Sequence, residues 1–160
     1  MSTYKQLMLM VPGQSKQEDK MDFYQTLSSR GIYQTLKVAH KIKKDSCEKP
    51  EFIFSATALY MRQTAEIIHQ TFPLSDLVFR DNLYTTNAKS LLFFLKHLDD
   101  IFAHLLILSE NLSIQKLTQN LTGQKLDLES SCCLCIHWPI YQSWKDIDQT
   151  EGSLFRIWSP

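Results

Sequence analysis

The chain has 160 residues, with 17 basic and 17 acidic side chains and a formal net charge of zero. That length supports one domain, expected over residues 1–160, which buries roughly two thirds of its unfolded surface and needs no covalent staples. The balanced charge leaves no long-range field to draw in nucleic acid or an anionic membrane surface, so neither is an expected partner.

The first element is the apolar run Leu7-Met8-Leu9-Met10-Val11, stopped by Pro12-Gly13. It is too short for a membrane span or a signal-peptide core. Its unbroken apolarity predicts a strand covered on both faces. Residues 16–20 form a polar loop. Ser28 is placed to cap a helix carrying Ile32, Leu36, Ala39 and Ile42 on one face, and the charged stretch 41–49 is a solvated connection. Phe52-Ile53-Phe54 predicts a second buried strand, and Ala58, Met61, Ala65, Ile68 and Phe72 recur with helical period. A short strand at 77–79 follows. Then come a helix striped by Leu91, Leu95 and Leu98, the strand Leu105-Leu106-Ile107-Leu108, and a helix striped by Ile114, Leu117 and Leu121.

After Gly123 the pattern changes. Residues 132–138, 141–146 and 153–157 read as short strands, broken at Pro139 and at Thr150-Glu151-Gly152, and predict an antiparallel edge. Strand and helix alternate throughout the rest. The expected fold is therefore α/β: a three-layer open sheet, mostly parallel, with helices on both faces and antiparallel C-terminal strands.

Three of the four cysteines, Cys132, Cys133 and Cys135, crowd into one apolar run and only Cys47 lies elsewhere. This is no disulfide framework, and a reducing compartment, the cytoplasm, is expected. Cys133, Cys135 and His137 share a strand face, but a rise of ~3.4 Å per residue separates Cys133 from His137 by about 13 Å, too far for one zinc ion. Buried packing is expected for the cysteines. His40, His69, His97 and His104 have no ligand spacing, so neither a metal nor a cofactor is expected. The four glycines form no phosphate-cradling array. Trp138, Trp144 and Trp158, without a basic groove, are expected to pack.

Open α/β sheets bind ligands beyond the carboxyl ends of their strands, where strand order reverses. Two loops leave such ends here: Pro12-Gly13-Gln14-Ser15 and Ser109-Glu110-Asn111. Ser55-Ala56-Thr57 opens a helix whose backbone donors can meet an anion.

These residues, in this order, resemble the histidine phosphatase superfamily, the phosphoglycerate mutase-like proteins, and within it the short SixA-type phosphohistidine phosphatases, over nearly the whole chain. In that family the first strand ends in Arg-His-Gly, the histidine being the nucleophile that accepts the phosphoryl group. The matching positions here are Val11, Pro12 and Gly13. The family's following Asp and Leu-Thr-x-x-Gly resemble Asp22 and Leu27-Ser28-Ser29-Arg30-Gly31, with Gln25 at the arginine that precedes the leucine. Its Ser-Ser-Pro-x-x-Arg-Ala-x-Gln-Thr-Ala is matched by residues 55–65. Gln63-Thr64-Ala65 is kept there and Tyr60 stands at the phosphate-binding arginine, while a shift of two residues would bring in Arg62. The later Ser-His is matched by Ser109-Glu110. Trp144, Gly152 and Ser159-Pro160 resemble the last strands of the short members.

The resemblance implies a phosphatase, and the substitutions remove its chemistry. Pro12 supplies neither a nucleophile nor a backbone N–H. Val11 and Tyr60 delete two guanidinium forks. Glu110 sets a carboxylate where a donor would face the phosphate, and two like charges ~5 Å apart at an effective dielectric near 20 repel by about 3 kcal/mol. The expectation is a catalytically inactive SixA-like homologue that binds an unidentified protein or small-molecule ligand. Its degenerate pocket would comprise Val11, Pro12, Gly13, Tyr60 and Glu110, with Gln14, Ser15, Arg62, Ser109 and Asn111 as neighbours, and would prefer a neutral or cationic group. The alternative is a residual or repurposed hydrolase using Glu110, Tyr60 or a recruited Arg62.

Overall fold

In the computed structural model, which describes residues 2–18, 21–84 and 86–160, the alternating apolar runs become the elements they predict. Asp19 and Lys20 of the expected 16–20 loop lie outside the described residues. The strands are β1 (Tyr4–Met10), β2 (Phe52–Ser55), β3 (Asp76–Phe79), β4 (His104–Leu108), β5 (Cys133–Pro139) and β6 (Ser153–Trp158). The helices are α1 (Ser29–Lys44), α2 (Leu59–Thr71), α3 (Ala88–Lys96) and α4 (Asn111–Thr122). Ser28 caps α1, its hydroxyl accepting the Gly31 N–H at 2.9 Å. Gly123 ends α4 in the left-handed region at φ 72°, which costs glycine nothing.

All six strands form one sheet in the order β3-β2-β4-β1-β5-β6. The β2–β3, β2–β4 and β1–β4 pairs are parallel, and β1–β5 and β5–β6 are antiparallel. The crossover through α1 runs toward one edge of the sheet and that through α3 toward the other. Right-handed connections therefore place α1 and α2 on one face and α3 on the opposite face, where α4 packs against it. Leu7, Leu9, Leu105, Ile107 and Leu134 are fully buried between these layers.

Two expectations need correction. The buried face of α1 is Gly31, Thr35, Val38, Ala39 and Ile42, whereas Ile32 and Leu36 are 43% and 49% exposed. The phase is set by a close approach: a Cβ on Gly31 would meet the Gln14 carbonyl oxygen at 2.2 Å. Thr35 is tolerated inside because its hydroxyl donates to the Gly31 carbonyl at 2.7 Å and lies 3.1 Å from the Ser131 hydroxyl. Residues 141–146 are also not a strand but a turn entering a 3-10 turn, Trp144–Asp146. Asp100 captures this segment, accepting the Ser143 hydroxyl and the Trp144 N–H, each at 2.7 Å.

Trp144 is fully buried, its indole donating to the Phe102 carbonyl at 2.8 Å, and the Trp138 and Trp158 indoles donate to the Thr150 carbonyl and Asp45. All four cysteines are free and buried. Cys135 Sγ lies 3.3 Å from His137 Nε2. Among the described residues no group of three His, Cys, Asp or Glu side chains could hold a metal ion, and no helix is long and apolar enough to cross a membrane.

Lys5, 1% exposed, pairs with Asp100 at 2.6 Å and lies 4.6 Å above the Trp144 ring. Burial alone would raise the Asp100 carboxyl, but hydrogen bonds from Lys5, Ser143 and the Trp144 N–H outweigh it and hold the carboxyl below its usual value. A depressed carboxyl contributes stability that is present above the unfolded-state value, about 3.9, and is lost as pH falls through the lower folded value. Thermal melts between about pH 5 and 2 should therefore show a smaller acid-side loss in Asp100→Asn than in the wild type, from a lower starting stability.

Candidate active-site cleft

β1 and β4 are adjacent and parallel, yet β1 leads into α1 on one face and β4 into α4 on the other. Their carboxyl ends diverge and leave a cleft of 530 Å³. Val11, Pro12, Gly13, Gln14 and Ser15 line it from the end of β1, and Glu110 and Asn111 from the start of α4. Tyr60 enters from α2, and Asp22 from a 3-10 turn, Asp22–Tyr24.

The walls are held by buried polar contacts. The Gly13 N–H donates to Thr64 Oγ1 at 3.1 Å, and the same hydroxyl donates to the Tyr60 carbonyl at 2.8 Å. Gln63 Oε1 accepts the Leu27 N–H at 2.7 Å. A Cβ on Gly13 would come within 2.8 Å of Leu27 Cδ2 and Thr35 Oγ1. Ser131, at φ 67°, donates its N–H to the Pro12 carbonyl at 3.1 Å. The residues that resemble family motifs and are retained here, Gly13, Leu27, Gly31, Gln63 and Thr64, are thus the ones that fix the shape of the cleft.

The chemistry of the lining is acidic. Among the described residues it contains two carboxylates, Asp22 and Glu110, and no cation. Asp22 Oδ2 accepts both the Tyr60 hydroxyl at 3.3 Å and the Tyr84 hydroxyl at 3.2 Å. Burial, then the Asp22 carboxylate and the hydrogen bond to it, push both phenols above their usual value, with Glu110 adding to the rise. Burial and the charge of Asp22 likewise raise the Glu110 carboxyl. Glu110 occupies the N-cap of α4 without a capping hydrogen bond from its side chain.

Several donors that an oxyanion would need are already engaged. Asn111 Nδ2 donates to the Leu128 carbonyl at 2.7 Å, Ser15 Oγ to Gln25 Oε1 at 3.0 Å, and both phenols to Asp22.

Two expected neighbours lie elsewhere. Arg62 follows Tyr60 by two residues and so points about 200° around the helix; it is exposed, its guanidinium 4.7 Å above the Phe79 ring. Ser109 is fully buried and donates to the Leu83 carbonyl at 3.2 Å. Nor do Ser55 and Thr57 turn toward the cleft: Ser55 Oγ donates to the Ala56 carbonyl and Thr57 Oγ1 to Asp81. Sequence reasoning missed Tyr84, which follows a short 3-10 turn (Asp81–Leu83) with no periodic or motif signal. It matched Asp22 to a motif without placing it in the site.

No family model matches the sequence, and comparison with curated proteins finds no match. Solved structures do match. A chain from Nakamurella multipartitia described as the phosphohistidine phosphatase SixA is 15% identical, with TM-score 0.85 over 99% of this chain and 98% of that one. The protein histidine phosphatase SixA complexed with tungstate is 18% identical, with TM-score 0.81 over 96% of each chain. A phosphoglycerate mutase from Plasmodium falciparum is 16% identical, with TM-score 0.67 over 97% of this chain and 91% of that one. This chain has their fold.

Two outcomes follow from the cleft's construction. Thr64→Val leaves the Gly13 N–H buried without an acceptor and should cost about 1–3 kcal/mol in urea denaturation. Glu110, whose raised carboxyl favours the protonated form, contributes stability present below its unfolded value of about 4.3 and lost as pH rises through the higher folded value. Glu110→Gln should therefore gain stability over the wild type between acidic and neutral pH in the same measurement, and match it at low pH.

Proposed function

We propose that this chain is a SixA-like member of the histidine phosphatase superfamily whose active site has degenerated, a pseudophosphatase that binds and does not turn over phosphate esters. The observation that supports this most directly is the lining of the cleft beyond β1 and β4. Pro12 stands where the resemblance places the nucleophilic imidazole. Glu110 stands where the resemblance places a donor facing the phosphate, and the described lining, which also holds Asp22, contains no cation to offset it. Proline offers no lone pair to phosphorus and no N–H to an oxyanion. The phenol of Tyr60, at the position of a phosphate-binding arginine, is neutral and already donates to Asp22.

A cleft of this sign favours a neutral or cationic group, carried by a protein or a small molecule in the cytoplasm. A second reading, a repurposed hydrolase, has one observation in its favour: the Glu110 carboxyl is raised and shares the cleft with Tyr60, as a general acid requires. Turnover of any ester or amide that disappears in Glu110→Gln would support it.

The pseudophosphatase assignment is tested with the purified chain. Neither p-nitrophenyl phosphate nor phosphoramidate should be hydrolysed, and vanadate should produce no specific thermal shift. A native-state vanadate site at one hundred times its dissociation constant would add about 2.7 kcal/mol. A shift of that size, or phosphohistidine hydrolysis, would contradict the assignment.

A further inference from the structure

We propose that the mouth of the cleft is a docking surface for a protein segment that inserts one arginine side chain into the cavity lined by Asp22 and Glu110; this rests on the cleft being a binding site and not a site of phosphate turnover. Three features select that occupant: carboxylate oxygens with no partner, an aromatic wall, and exposed apolar side chains at the rim.

The carboxylates come from different elements, Glu110 from the N-cap of α4 and Asp22 from the 3-10 turn Asp22–Tyr24. Glu110 is half-buried, makes no capping bond, and has no hydrogen-bond or ion-pair partner for its carboxylate among the described residues. Asp22 accepts both phenols through Oδ2, which leaves Oδ1 open. A cation entering the cavity therefore meets acceptors that nothing else in the described lining satisfies. A guanidinium suits them better than an ammonium. Its planar fork presents five donors in fixed directions, enough to engage two carboxylates together, and its flat face packs on an aromatic ring such as that of Tyr60.

The rim selects a chain over a free ion. Leu112, in the first turn of α4, belongs to the lining yet is 80% exposed. Met21 and Tyr24, which flank Asp22 in the sequence, are 74% and 59% exposed. Large apolar side chains this open around a cavity are the mark of a protein contact site. A small cation seated in the cavity leaves them in water, whereas a segment crossing the mouth covers them while its arginine fills the centre. The charge of the lining then decides which side chain enters, and apolar contact at the rim holds the rest of the segment.

Amide NMR of the isotope-labelled chain at neutral pH, titrated with blocked tripeptides, tests this. The probes are leucine-arginine-leucine, the same peptide with citrulline, which keeps the shape and removes the charge, and glycine-arginine-glycine. The first should shift the amides of Gln14, Ser15, Asn111 and Leu112 at millimolar concentration. The citrulline peptide should bind at least about tenfold more weakly, and the glycine-flanked peptide several-fold more weakly. Glu110→Gln and Asp22→Asn, the latter keeping an acceptor oxygen for the phenols, should each weaken the arginine peptide by about tenfold and leave the citrulline peptide unchanged. Unshifted amides elsewhere in each variant verify its fold. Absence of shifts at the cleft, equal binding of the citrulline peptide, or undiminished binding in both variants overturns the arginine site. Equal binding of the glycine-flanked peptide overturns the docking segment in favour of a free cation. Phosphate-ester hydrolysis is read in a separate assay, so failure of this inference and failure of the pseudophosphatase assignment are told apart.

Discussion

The close approach of α1 to the loop after β1 is the constraint on which the cleft depends. With no side chain at Gly31, the helix backs onto Gln14, where even a methyl group would sit 2.2 Å from a carbonyl oxygen. That contact fixes the rotation of α1 and with it the place of Thr35, which reaches Ser131 and so the segment holding Pro12 from the other side. Thr64 closes the ring by taking the Gly13 N–H. A change at any of these points moves the wall of the cavity. Shape depends on buried contacts in a close-packed interior, whereas the sign of the cavity depends on a few side chains at its surface.

Those few side chains act in one direction. The charge of Asp22 adds to burial in raising the Glu110 carboxyl, both carboxylates push the neighbouring phenols up, and neither meets a compensating cation in the described lining. Fold and activity are separate questions, and likeness to the solved structures establishes the first alone.

Much of this was legible in the sequence because the apolar runs are long and unambiguous: β1, β2 and β4 lie where Leu7, Phe52 and Leu105 begin unbroken stretches. The loops of the cleft followed from the same runs, since a strand's end locates the loop after it. The phase of α1 was not legible, because Ile32 and Leu36 outweigh Thr35 in apolarity and the deciding contact, Gly31 on Gln14, is tertiary. Residues 141–146 carry strand-like aromatics but fold inward onto Asp100, a partner more than forty positions away. Tyr84 was invisible for the same reason: its role comes from meeting Asp22 across 62 positions. Arg62 could have been set aside from helix geometry alone once Tyr60 was assigned to the cleft.

A crystal soaked in tungstate, with its anomalous signal mapped around Pro12 and Glu110, examines the acidic cleft most directly. The account predicts no tungsten peak between the ends of β1 and β4. A fully occupied tungstate there, held by arginine or lysine side chains drawn in from elsewhere in the chain, would contradict it.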